Sequence, residues 1–397
     1  MRVERLAAVG LVLLVIAATP RTSEAIPAWS RKYGASCNLC HYPNVPRVNS
    51  FGHRFRRAGY RLAGEIDQKQ DIQQVGNFVA MRARVRYTYF KPESGRSDNQ
   101  FELNDVTLFY GGALASHFSA FTETEVEGES GDVEVLATAS GILGEWDNFA
   151  TFRVGQMHTL TRVGFGGFDR PTGISTPLVL SSRIAKPFKG SPFRLSEDQR
   201  GLELTYVYGP GRVIAQVLNG VDETGDGRGE GFDKDGDKDF LLAYEHILDD
   251  IASGFTVFGY RGLMHQQFVN GNGRDRTEFF RAGVSFAKTL ECGFEVQSGY
   301  VRGRDNPPNT VASDLESQGA WVEFEQYFRD YDFTPFTRFD WVNPKLGGRN
   351  ENLLQGTVGV AAPIEDFLRL SVEGQVIDNA NTDHTDYRLA TELMVNF

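Results

Sequence analysis

Three cysteines in 397 residues are too few for a disulfide framework, and only one CxxC pair exists, so no second pair can complete a zinc ribbon. No run of eighteen apolar residues follows the N-terminus, which excludes a transmembrane helix. The chain also lacks a GxGxxG after a strand, a P-loop and a GxSxG, which removes dinucleotide, nucleotide-triphosphate and serine-hydrolase chemistry. Its 41 basic residues are outnumbered by 52 acidic ones, and a net charge of −11 with no basic aromatic surface argues against nucleic acid. What the chain has in quantity is 30 Phe, 14 Tyr and 43 Gly, distributed through short alternating runs.

The start of the chain sets a compartment. Arg2 and Arg5 precede an apolar run from Leu6 to Ala18, and Ser23-Glu24-Ala25 supplies small residues at both cleavage-defining positions. This pattern predicts a secretory signal peptide over 1–25, cleaved near Ala25, since the run is too short to span a bilayer. The mature chain then begins near Ile26, in the compartment where c-type haem is attached.

Cys37-Asn38-Leu39-Cys40-His41 is the attachment signature of such a haem. Cys37 and Cys40 would add to the two vinyl groups, and His41, held beside the ring by that tether, would be the proximal iron ligand. A disulfide or half of a zinc site are the competing uses of such a pair. Cys292, far away, reads as a buried or lipid-facing bystander.

From Asn77 onward the texture is β: alternating apolar and polar runs separated by Gly, Asp, Asn and Pro clusters. Sixteen strands are expected, beginning near Phe78, Phe101, His117, Asp132, Phe149, Gly201, Arg212, Asp239, Ile251, Arg276, Cys292, Gln318, Phe333, Leu354, Asp366 and Asp386. An even count suits a closed outer-membrane barrel. If the first strand rises from the periplasm, every inner turn is brief (Gly209-Pro210-Gly211, Asp249-Asp250, Lys288 to Glu291, Arg329 to Asp332, Pro363 to Glu365), whereas outer loops 158–199, 220–238, 262–275 and 303–316 are long. Short turns inside and long loops outside is the bacterial outer-membrane pattern.

The end strands predict two faces. In the last, Tyr387, Leu389, Leu393, Val395 and the terminal Phe397 share the lipid side, and Arg388, Glu392 and Asn396 the other. A terminal aromatic resembles the assembly signal of outer-membrane proteins, which a soluble β-sandwich does not need. In the first strand Arg82, Arg84 and Arg86 face inward, and Met81, on the lipid side with Val79 and Val85, is unsuited to bind haem iron. Inward acidic positions (Glu123, Glu125, Glu127, Glu203, Glu323, Glu325) predict a charge-lined, wet interior.

The segment 26–75 carries eight basic residues against three acidic, while 76–397 carries 30 against 47. A cationic haem segment is electrostatically suited to plug an anionic barrel wide enough for it; a haem domain hanging below the barrel on the linker Gln73 to Gly76 is the alternative. About fifty residues bury little core alone, which favours the plug.

The distal iron ligand has two candidates. His53 lies on an expected helix from Ser50 to Tyr60, with Asn49 or Ser50 as N-cap and an apolar stripe of Phe51, Phe55 and Ala58 from which His53 points away. Met157 faces the lumen by alternation at the base of the third outer loop. The acidic stretch 222–239 imitates a calcium loop but has Lys238 where an EF-hand needs Gly and Tyr244 where it needs Glu, leaving a solvated loop or weak cation capture.

Ala25-Ile26-Pro27-Ala28-Trp29-Ser30-Arg31-Lys32-Tyr33-Gly34-Ala35-Ser36-Cys37, running into the haem motif and then a barrel, resembles the fused monohaem cytochrome-porins of bacteria that oxidise ferrous iron at the cell surface. Ala25, Pro27, Arg31, Gly34, Cys37, Cys40 and His41 match that family's motif; Trp29 replaces its usual Phe, Ser30 its Ala, and Lys32-Tyr33 its Gln-Thr. The barrel half is similar to phosphate-type porins at Val217-Leu218-Asn219-Gly220 and Asp237-Lys238-Asp239. The resemblance implies an all-β fold: a 16-stranded antiparallel outer-membrane β-barrel (76–397) with a small, partly helical haem c segment (26–75) in its lumen. It implies one covalent haem, extracellular Fe(II) as electron source, a periplasmic c-type cytochrome or other carrier as acceptor, and an iron(II) oxidoreductase activity. A solute porin with a haem-bearing gate or sensor, and electron export to outside acceptors, are the other functions compatible with these residues.

Overall fold

The computed structural model describes residues 28–43, 45–128, 131–158, 172–181, 195, 198–220, 236–267, 274–306, 315–346, 349–350, 352–365, 367–379 and 384–397. The expected leader 1–25 and most of the acidic stretch 222–239 lie outside them. The strands are β1 Val79–Lys91, β2 Asp98–Ala113, β3 Phe118–Glu127, β4 Val133–Glu145, β5 Asn148–His158, β6 Asp198–Tyr208, β7 Gly211–Leu218, β8 Asp239–Ile247 and β9 Gly254–Gln267. They continue as β10 Arg274–Thr289, β11 Phe294–Asn306, β12 Leu315–Gln326, β13 Thr334–Leu346, β14 Arg349–Asn350, β15 Leu353–Glu365, β16 Leu368–Asn379 and β17 His384–Asn396. β14 is a two-residue extension that pairs only with β13. The other sixteen form one antiparallel sheet, closed by β1 against β17 from Arg82↔Asn396 to Lys91↔Tyr387.

Closure leaves no open edge, as a bilayer requires. Met81 and Phe397 exchange both backbone bonds across the seam (the second at 2.8 Å), so the terminal aromatic completes the sheet. Side chains are inverted relative to a soluble protein: Glu245, Glu295 and Arg338 are fully buried, while Phe101, Leu204 and Val358 are 81%, 60% and 62% exposed. Polar inside and apolar outside is the barrel's two-residue period read around a closed cylinder. Tyr208, Tyr244, Phe255, Phe294, Phe324, Phe328 and Phe333 gather near the short turns, with Phe328 and Phe333 stacked at 5.0 Å. Such aromatic rings mark an interface between lipid and water.

All sixteen expected strands are present, and their turns differ only in extent. Strands β9 to β12 run further outward than expected, to Gln267 and Asn306 on one side and from Arg274 and Leu315 on the other. Cys292 sits in the 290–293 turn and is exposed rather than buried.

The interior holds more than the charged wall that was expected: two further stretches of chain bond to it around one remaining cavity. Residues 172–181 of the third long loop lie against inward-facing wall positions: Ile174 and Ser175 donate backbone N–H groups to Glu373 at 2.9 and 3.1 Å, Leu178 donates to Asp340 at 3.0 Å, and Arg338 donates to the Ser175 carbonyl at 2.8 Å. Val179 and Leu180 then join an inward apolar cluster with Leu218, Phe258, Tyr260 and Trp321. The acidic positions Glu203 and Glu325 are buried with Arg153 and Arg47 as partners.

The segment before the barrel bonds to the same wall at its short-turn end. Arg47 pairs with Glu295 and Glu325, Arg57 with Glu245, and Arg54 with Asp147 at 3.1 Å. Ser50 N–H donates to the Ile251 carbonyl at 2.8 Å, and Arg61 donates to the Ala115 and Phe118 carbonyls at 2.6 and 2.7 Å. Trp29 stacks on Tyr60 at 4.7 Å, and Tyr60 on the wall's Phe121 at 5.1 Å.

Arg47 is the strongest of these ties, because removing it leaves two carboxylates buried without a cation. Loss of one partner from a buried pair costs about 3–5 kcal/mol. Arg47→Ala is expected to speed trypsin cleavage within residues 28–75 in detergent-solubilised protein while the barrel keeps its heat-modifiable gel mobility; unchanged protection of the segment would refute the anchor.

Candidate cofactor site

The haem motif occupies a tight turn. Cys37–Leu39 form one 3₁₀ turn, and the N–H groups of Cys40 and His41 both donate to the Cys37 carbonyl, at 3.1 and 3.0 Å. Short-range closure brings Cys37, Cys40 and His41 to one cavity of about 440 Å³ inside the short-turn end of the barrel. That volume lies in the range of small-molecule and cofactor sites. Trp29, Tyr33 and Phe55 give it an aromatic wall.

Asn49 holds the turn in place. Its Oδ1 accepts from Gly52 N–H at 2.8 Å and so caps the Ser50–Arg57 helix, as its β-region φ and ψ permit. Its Nδ2 donates back to the Asn38 and Leu39 carbonyls at 3.2 and 3.1 Å, and its own N–H donates to the Cys40 carbonyl at 2.9 Å. One side chain therefore starts a helix and fastens the haem motif to it. Gly52 is required for the contact, because a Cβ there would collide with the Cys40 carbonyl oxygen and Val48. The helix ends at Arg57, three residues before the expected Tyr60, because Gly59 and Tyr60 adopt left-handed φ values of 68° and 62°.

His41 is oriented by its own neighbourhood. Its Nδ1 lies 2.6 Å from the Arg47 carbonyl, so Nδ1 carries the proton and Nε2 the lone pair. A metal-binding histidine needs that arrangement, with one ring nitrogen donating to a carbonyl and the other presented to iron. The turn, the tautomer and the cavity together fit a c-type haem: Cys37 and Cys40 would hold it covalently and His41 would ligate it.

The two candidates for the distal position lie apart. Met157 is buried and lines the cavity, near the long-loop end of β5. His53 is buried in the Ser50–Arg57 helix but is not among the residues lining that cavity. Its imidazole pKa is pushed well below 6.5, first by burial and then by Arg56, Arg57, Arg212 and Arg47. The sequence reading missed two other participants. Gly52 needed the fold to reveal it; Met394 shares the parity of Glu392 and Asn396, so its lumen position was readable in the last strand.

Glu65 ties the helix Ala28–Tyr33 to the turn at 62–65, accepting from Lys32, Tyr33 and Leu62 N–H at 2.8, 2.7 and 2.8 Å. Burial raises its pKa, but these donors outweigh burial and hold the carboxyl below its usual range. Of the acidic outer stretch, Asp237 and Asp239 are described, and Asp239 accepts from Tyr260 and from Leu263 N–H inside the barrel.

His53 gives the segment a pH dependence with a fixed sign. The folded chain refuses a proton that the unfolded chain accepts below about pH 6.5, so stability is present above that pH and falls on acidification. The expected outcome is easier proteolytic release of residues 28–75 at pH 5.5 than at pH 7.5, with the difference reduced in His53→Gln; an identical pH response in that variant would reject the assignment.

No family model and no curated protein sequence matches this chain. Solved structures do. A loop L8 deletion mutant of OmpT, an outer-membrane protein of Vibrio cholerae, matches with a TM-score of 0.54 at 13% identity, covering 80% of this chain and 99% of that one. An anion-selective porin from Comamonas acidovorans matches at 0.57 and 11% identity over 80% and 99%, and OprB of Pseudomonas putida at 0.56 and 10% over 81% and 93%. At such identities the likeness concerns the fold: this chain is a closed, sixteen-stranded antiparallel β-barrel with the fold of these outer-membrane porins.

Proposed function

We propose that the chain is an outer-membrane electron conduit, a barrel sealed by its own N-terminal segment and carrying one covalent c-type haem at Cys37, Cys40 and His41. The observation that carries this reading is the His41 Nδ1 bond to the Arg47 carbonyl at 2.6 Å beside two thiols on one cavity. When bound, the haem supplies one-electron transfer between a donor on one side of the membrane and an acceptor on the other.

The chain's own residues supply the rest. Arg47, Arg57 and Arg61 hold the segment in the barrel mouth, and residues 172–181 bond to the wall beyond it. Leu39, between the two cysteines, is 39% exposed, so a soluble carrier can approach the motif from the short-turn side. Extracellular Fe(II) as donor and a periplasmic c-type cytochrome as acceptor follow from the family resemblance. On that reading the barrel keeps insoluble ferric product outside.

A second reading is a solute porin whose N-terminal segment gates the lumen; the anion-selective porin among the fold neighbours favours it. One comparison separates the two. The purified full chain is expected to give a positive pyridine haemochromogen assay, rapid stopped-flow reduction by Fe(II), and no nanosiemens-scale conductance in a planar bilayer. Open-pore conductance without covalent haem would reject the conduit and leave the porin. Cys37→Ala and Gly52→Val are each expected to lose haem staining on denaturing gels while retaining a heat-modifiable barrel.

A further inference from the structure

Met394 is a buried, lumen-facing thioether that none of the interior's apolar clusters includes. Its cross-strand partners are Arg84 on β1 and Arg369 on β16, so it stands in a row of guanidinium groups. Facing residues in an antiparallel sheet have Cβ atoms about 5 Å apart. A methionine kept for packing belongs among apolar neighbours, and this one has charged ones on both sides.

Its level in the barrel matches that of the haem motif. Arg369 donates to the Val45 carbonyl at 3.0 Å, and Arg47, two residues further on, accepts the His41 Nδ1 proton. Met394 lies three residues from the chain end at the short-turn rim, about 10 Å along the strand at 3.3 Å per residue. Met157 lies nine residues above the Asn148 turn, about 30 Å along its strand. Met81, Met157 and Met394 all line the cavity that Cys37, Cys40 and His41 share; Met157 is at the far end, Met81 shares the outward parity of Phe397 opposite it, and Met394 has the inward parity at the end where the motif is tethered.

Resting on the haem reading above, we propose that the Met394 thioether is the sixth ligand of the iron whose proximal ligand is His41, with Met157 and His53 outside the coordination sphere. Sulfur and imidazole together form the ligand pair that raises a haem's reduction potential. Arg84 and Arg369 beside it are themselves paired, with Asp105 and with Glu392 at 3.6 Å, so the ligand pair is the source of the raised potential.

The test uses the full chain matured with covalent haem. Wild type is expected to show a low-spin ferric spectrum with the weak near-infrared sulfur-to-iron charge-transfer band. Met394→Leu should lose that band and become high-spin, and its ferric-to-ferrous ratio at a fixed poise should rise at least about tenfold, equivalent to 59 mV for one electron. Met394→His, which offers a nitrogen ligand if the leucine variant folds poorly, should stay low-spin without the band. Met157→Leu and His53→Gln should keep it. Persistence of the band in Met394→Leu, or a five-coordinate wild-type haem, overturns this assignment while leaving the conduit standing; absence of covalent haem in wild type overturns both.

Discussion

Arg47 works at both ends. Its guanidinium is buried between Glu295 and Glu325 of the wall, and its carbonyl accepts a hydrogen bond from His41 Nδ1–H. Burial alone would disfavour the cation, yet the two carboxylates hold its pKa above the ordinary arginine value. Its position is fixed by the carboxylates of β11 and β12. Because the carbonyl is part of the same residue, the ring plane of the haem-motif histidine is referenced to the barrel wall rather than to a mobile tail. Asn49 and Gly52 add the second reference, pressing the cysteine turn onto the Ser50–Arg57 helix.

Charge organises this interior differently from an open channel. Arg47, Arg54 and Arg57 of the N-terminal segment pair with acidic residues of the wall and its turns. Surface ion pairs contribute little, but a buried carboxylate deprived of its cation is costly. Specificity of seating follows from that asymmetry: a segment shifted by one turn would strand Glu295 and Glu325 together. Beyond the segment, Val179 and Leu180 pack on the wall by apolar contact, so two unrelated interactions occupy one cylinder.

Much of this was readable from residues alone. Alternation with a period of two announces every strand, since lipid outside and polar contents inside leave no third environment, and Phe397 fits because the seam needs its backbone at Met81. The haem motif and the Asn49 cap are local signals. What escaped the sequence depends on distant pairs. The inward charges were legible but their partners were not, since they lie 278 residues apart in Arg47–Glu325. The end of the helix at Arg57 depends on left-handed backbone at Gly59 and Tyr60, which residue type alone leaves open for Tyr60. Met394 was on the legible face of the last strand, but its significance appears only when Arg369 is seen to reach Val45.

The seating of the segment also sets an order of events during biogenesis. Its bonds reach Ser119, Glu245, Glu295, Glu325 and Arg369, at separations of 58 to 324 residues, so they ring the mouth instead of attaching to one side. Contacts of such span form late and slowly. A sheet that closed first would enclose Glu295 and Glu325 without Arg47, whereas one that zips around the segment pairs both as they arrive. The N-terminal fifty residues thus serve as a mandrel for the cylinder.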